Sequence, residues 1–144
     1  SPQAKGTTPF QDIYEGTITE SALFELSKRG SFRASKEFFP YQNTLYNEAR
    51  AFCTLAFGSI ASCSVSNLED SEAIRNLYAL KMLVNAAKID IPTSFPWYKS
   101  YISWGLKHKV ISVDFTKKTW ITRGEMAELT WKIMKNKEDS TNSL

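Results

Sequence analysis

One short stretch near the end of the chain has the residue types and spacing to hold an acid group. In Ile121-Thr122-Arg123-Gly124-Glu125-Met126-Ala127, Thr122 is placed to cap a helix. Glu125, three residues on, is placed to reach back and close a capping box. Ile121 before the cap and Met126 one turn in have the spacing of a hydrophobic staple. Arg123 then falls on the first helical residue, beside backbone N–H groups that have no partner within the helix. Those donors and the helix dipole favour an anion. A guanidinium adds a planar fork suited to a carboxylate or phosphate. The plainer assignment is an exposed arginine paired with a neighbouring carboxylate, and the spacing alone favours it.

Aromatic residues gather around the same stretch. Trp97, Tyr98, Tyr101, Trp104 and Trp120 precede it, and Trp131 follows. Tyr101 and Trp104 sit at helical spacing and are expected in the core. Trp97 and Trp120 fall at loop–helix junctions and are the candidates to stack a sugar ring beside Arg123. Enzyme chemistry has little to stand on. His108, the only histidine, lies between Lys107 and Lys109 and reads as part of a solvated basic patch. There is no glycine-rich phosphate loop and no nucleophile elbow. Nothing places the paired carboxylates of a glycosidase across a cleft. Two cysteines and one histidine make no zinc site at these spacings. No cofactor is expected.

The elements that must position these residues are helical. A first helix is expected from Thr17, boxed by Glu20, to Gly30. A second starts near Thr44 and carries Leu45, Ala49, Phe52, Cys53, Ala56 and Phe57 at helical spacing, with Gly58 as its end or a weak point. A central third, apolar on more than one face, is expected over about 66–89, from a Ser66/Glu69 capping pair to an end before Ile91-Pro92. A fourth begins near Pro96, and a fifth runs from Thr122. Residues 110–115 read as a short extended piece at most. The expected fold is an all-α, single-domain bundle of about five main helices. Residues 1–9 read as a flexible lead-in, and 136–144 as a fraying polar tail.

The Thr122 stretch resembles the Ile-Thr-Arg-Ala-Glu signature of the S-layer homology (SLH) family. Two copies of that family's layout are traceable. The first runs over about 10–62, from Phe10-Gln11-Asp12 through the helix ending at Gly30 and Phe38-Phe39-Pro40 to Leu45-Tyr46-Asn47-Glu48-Ala49. The second runs over 95–135, from Phe95-Pro96-Trp97 to Thr122-Arg123-Gly124-Glu125. Glu48 and Glu125 are the matching glutamates. Tyr46 stands where the family has arginine, with Arg50 one turn on, and Asp12 matches an architectural aspartate. The family's third repeat is not traceable; the central helix lies between the two copies. The resemblance implies a noncatalytic module on the outside of a bacterial cell. It would bind an acidic, often pyruvylated, cell-wall polysaccharide through Arg123, Thr122, Gly124, Glu125, Trp120 and Trp97. Replacement of Arg123 by Ala is then expected to remove binding without unfolding. The alternative is a surface-layer assembly module with a decayed sugar site, completed by a second copy or by further repeats.

Composition sets the outer bounds. At 144 residues, 42% hydrophobic and 23% charged, the chain suits one folded domain. A net charge of +3, with lysines and arginines scattered, does not indicate nucleic acid. No apolar run approaches the roughly 20 residues of a membrane span. The chain opens at Ser1-Pro2-Gln3 with neither initiator Met nor signal peptide, and reads as a mature or excised segment. Cys53 and Cys63 fit either two buried thiols or a disulfide suited to an oxidising exterior.

Overall fold

A computed structural model describes residues 8, 10–30, 36–58, 62–65 and 68–142, the last two by backbone alone. Six helices follow one another: α1 (Ile18–Ser27), α2 (Tyr46–Phe57), α3 (Asn76–Ala86), α4 (Tyr98–Lys107), α5 (Val113–Thr116) and α6 (Arg123–Asn142). The all-α bundle stands. Among the described residues extended backbone makes only isolated bridges, and no helix is long and apolar enough to cross a membrane.

Several of the expected caps form. Thr17 Oγ1 accepts from the N–H of Glu20, and Glu20 returns a carboxylate oxygen to the N–H of Gly16. Gly58 ends α2 in the left-handed conformation, at φ 72°, which an L side chain would resist.

The bridges organise the molecule. Asn43 pairs with Thr122, Leu45 with Ala73, and Arg75 with Trp120, all antiparallel. Segments 43–45, 73–75 and 120–122 therefore close into a ring, and each one leads straight into a helix: α2, α3 and α6. Their middle residues, Thr44, Ile74 and Ile121, are all fully buried. Backbone bonds run the same way round. The N–H of Tyr46 donates to Glu72 O, that of Asn76 to Thr119 O, and that of Arg123 to Gln42 O, at 2.7, 3.0 and 2.8 Å.

The ring adds a segment that the two-copy layout does not include. The segment before α3 is a third equivalent of those before α2 and α6, with Ile74-Arg75-Asn76 standing where Ile121-Thr122-Arg123 stands. It also explains why the central helix begins at Asn76 and not near residue 66. Residues 73–75 are drawn into the ring as extended chain and cannot also be helix. Ser66 lies outside the described residues, and Glu69 is not helical.

Two further boundaries differ. The expected extended piece at 110–115 contains α5, because Ser112 Oγ accepts from the N–H of Phe115 and so caps a turn. The expected frayed tail is helical through Asn142. There Glu138 pairs with Arg29 beyond the end of α1, and Asn136 lies against His108. Of the lead-in, only Thr8 and Phe10 onward are described, and Thr8 is buried.

The core joins Leu23 and Leu26 of α1 and Phe52 of α2 to Leu80 and Leu83 of α3 and Met126 and Ile133 of α6. Cys53 and Cys63 form a disulfide, with both residues fully buried. It ties α2 to the chain that leads into the third ring segment. One polar atom is left over at the centre: Thr44 Oγ1 is buried without a hydrogen-bond partner.

Two outcomes follow for stability. Thr44→Val removes an unsatisfied hydroxyl at nearly constant volume and should stabilise the fold by about 1 kcal/mol in denaturant melts. Cys53→Ala with Cys63→Ala should cost about 2–3 kcal/mol, the chain-entropy value for so short a loop.

Candidate functional site

Thr122 and Glu125 form the expected capping box. The N–H of Glu125 donates to Thr122 Oγ1 at 3.2 Å, and that of Thr122 donates to Glu125 Oε1 at 3.0 Å. The remaining helix-start donors are also taken: Arg123 N–H by Gln42 O at 2.8 Å and Gly124 N–H by Pro40 O at 2.9 Å. Gly124 permits that approach, since a Cβ there would lie 3.2 Å from both Pro40 Cβ and Pro40 O. The donors expected to be open to an acid group are therefore filled, by the capping box itself and by the chain just before segment 43–45. The helix start is closed to an anion for a physical reason: ring closure and anion binding compete for the same N–H groups.

The guanidinium of Arg123 is committed as well. Its Nε donates to Phe38 O at 2.7 Å, its plane lies 4.7 Å from the Phe38 ring centre, and Nη1 pairs with Glu48. Burial lowers its pKa, and the carboxylate of Asp12 opposes that shift. Asp12 itself accepts from the N–H groups of Phe38 and Phe39 at 2.8 and 2.7 Å. Asp12 and Arg123 thus grip the 38–40 loop from two sides. The architectural role expected of Asp12 is what its contacts describe. Arg123 is paired to a carboxylate, as the plainer assignment had it, but it is partly buried and not fully exposed.

The positions equivalent to Arg123 do the same work with other chemistry. Tyr46 exchanges hydrogen bonds with the backbone of Val65 through its hydroxyl, and Asn76 donates to Phe115 O and Lys118 O at 2.6 and 2.9 Å. Each first helical residue clasps the loop that leads into the next ring segment. The matching glutamates also act alike. One oxygen of each closes a cap, Glu48 on Leu45 N–H and Glu125 on Thr122 N–H, and the other meets a cation, Arg123 or Lys118. Burial pushes the Glu125 carboxyl up, but Lys118 and the Thr122 donors outweigh it and hold it below its usual range. Glu125 in turn raises Lys118. Arg50, the suggested substitute, reaches Asp70 and lies over Tyr46.

The six candidate residues divide between different surroundings. Thr122, Gly124 and Glu125 line a groove of about 150 Å³ with Tyr14 and Tyr41, but its charged lining is Asp12, Glu125 and Glu128. Three carboxylates make it unfavourable for an anion. Trp97 belongs to another cluster, stacked on Tyr78 at 5.3 Å and against Tyr98 and Tyr101, with Lys81 over its ring. Trp120 is 42% exposed on the outer face of the ring. There it carries the guanidinium of its bridge partner Arg75, 5.6 Å from the ring centre.

Arg75 was missed by the sequence reading. It is exposed, and among the described residues its guanidinium makes only that stacking contact. The signal that would have found it is the register of Ile74-Arg75-Asn76 on Ile121-Thr122-Arg123. It was hidden because this segment has Tyr78 where Glu48 and Glu125 mark the other two helix starts.

Two measurements check this assignment of roles. Arg123→Ala strands Glu48 and the Phe38 carbonyl in a partly buried site, and should cost on the order of 2 kcal/mol in thermal or denaturant melts. This replaces the expectation that the change spares the fold. Glu125 has a lowered folded-state pKa, so its contribution is present above the ordinary carboxylate pKa and is lost as pH falls through the folded value. Glu125→Gln should therefore flatten the acid limb of stability against pH, relative to the unsubstituted chain.

Comparison of the chain with protein-family models, with curated proteins and with solved structures finds no match in any of the three.

Proposed function

We propose that this chain is a noncatalytic anchoring module of the S-layer homology type, attaching to an anionic cell-wall polysaccharide on the outside of a bacterial cell. The observation that carries the reading is the closed ring of three helix-starting segments. Its three equivalent segments support the reading, since the resemblance calls for three repeats. The buried Cys53–Cys63 disulfide suits an oxidising exterior.

Within this reading the glycan contact moves from Arg123 to the outer face of the ring. Arg75 offers an exposed guanidinium with no carboxylate partner among the described residues, and Trp120 offers an indole face beside it. A wall polymer would set a carboxylate against Arg75 and a sugar ring against Trp120. Thr122 and Glu125 hold Trp120 in place through the capping box and do not contact the sugar. Gly124 and Arg123 are likewise parts of the frame.

A protein-assembly module is the rival, and one surface favours it. Tyr14, Ile18, Phe24, Phe39 and Tyr41 are all exposed, on α1 and the segments flanking it.

Cosedimentation with cell-wall sacculi from the source organism separates the two. The reading expects the domain to pellet with intact sacculi and to stay in solution once the secondary polymers are stripped. Trp120→Ala and Arg75→Ala should each weaken pelleting about tenfold without a matching fall in melting temperature. No pelleting at all, with a mass that grows with concentration, would establish the assembly module instead.

A further inference from the structure

One segment of the chain carries lysines without any carboxylate to balance them. The 18 lysines and arginines exceed the 15 carboxylate residues by three. Residues 91–113 hold three lysines, Lys99, Lys107 and Lys109, and no Asp or Glu. The whole formal excess therefore resides in this one segment, and the remainder of the chain is balanced.

The segment folds as α4 and its flanks, and its outward side carries a groove of about 490 Å³. Lys99 and Lys107 line it, and no carboxylate does. Both lysines are exposed, and neither forms an ion pair among the described residues. Two aromatic rings share the groove. Phe95 is 96% exposed. Trp104 packs on His108, which also lines the groove, their ring centres 4.9 Å apart. Thr93 and Ser103 add exposed hydroxyls to the lining. A phenyl ring left almost wholly in water beside an indole and two unpaired ammonium groups makes a cradle for a ligand that has both ring faces and negative charge.

We propose that the α4 groove binds an anionic oligosaccharide, with acid groups held between Lys99 and Lys107 and sugar faces laid on Phe95 and Trp104. This site is separate from the Arg75–Trp120 surface and does not depend on the cell-wall reading. Ammonium groups suit dispersed carboxylates as point charges, and hydroxyls suit sugar rims. A nucleic acid strand would want a longer basic groove with a ring to stack successive bases, and this short groove has two lysines and Phe95 as its one almost fully exposed ring.

The test is titration of the full chain with oligogalacturonate, followed by tryptophan fluorescence and backbone amide shifts. Its fully methyl-esterified form serves as the uncharged control. The acid form should shift the amides of 93–108 and the ester should not. Lys99→Gln with Lys107→Gln should weaken binding about tenfold or more, and Phe95→Ala several-fold. All three side chains are exposed, so these variants should melt as the unsubstituted chain does. Trp120→Ala should bind as before. Equal binding of the ester, unchanged binding by the lysine double variant, or loss of binding in Trp120→Ala would each overturn the proposal. So would tighter binding of a single-stranded oligonucleotide of equal charge at the same residues.

Discussion

The structure depends on one exchange of hydrogen bonds. The first backbone N–H of α2, α3 and α6 is satisfied by a carbonyl from the neighbouring ring segment. A helix start ordinarily leaves several donors to water or to a cap. Here three such starts face round a common centre, and each one uses the chain before the next as its acceptor. The arrangement has to close on itself, because an open ring would bury donors without partners. It also fixes where each helix begins, what its first side chain must reach, and which residue turns into the core.

The first helical position shows what that constraint selects. Arg123, Tyr46 and Asn76 differ in size, charge and donor count, yet each has hydrogen-bonding groups that reach a loop backbone from the same place. A residue there has to carry a donor out to a neighbouring carbonyl, and the gap left by each loop decides which side chain fits. The guanidinium is the longest of the three, and it has a remaining edge that Glu48 occupies. A fork that looks made for an acid group has thus found one inside the protein. The same economy governs Glu48 and Glu125, each of which divides its two oxygens between a backbone cap and a cation.

Once the inward groups are consumed, recognition falls to what faces out. The ring alternates, so the residues on either side of Thr44, Ile74 and Ile121 point away from the core. Among them Arg75 and Trp120 meet as bridge partners. Farther out, α4 and its flanks carry three lysines and no carboxylate, and the groove there has no acidic lining. The acidic groove beside Thr122 has the opposite sign. A polyanion approaching this molecule meets a surface divided by charge, favourable at α4 and Arg75 and unfavourable between α1 and α6.

Local sequence determined the helices and many of their ends. Thr17 with Glu20, Thr122 with Glu125, Gly58, and the apolar spacing of 45–57 and 126–134 all act within a turn or two, so their chemistry can be read where it stands. The resemblance of Thr122-Arg123-Gly124-Glu125 to a family signature likewise lay in contiguous residues. What the tertiary structure decided is every outcome that turns on a partner distant in sequence. Residues 73–75 became extended because Ile74 bonds to Thr44 and Arg75 bridges to Trp120, and α6 continued past residue 135 alongside Arg29. Cys53 and Cys63 were bonded because α2 and the following loop bring them together. Arg123 became a clasp because Phe38 and Glu48, 85 and 75 positions away, meet it across the ring. A donor's type is written in the sequence, but whether it remains open is a property of what packs against it.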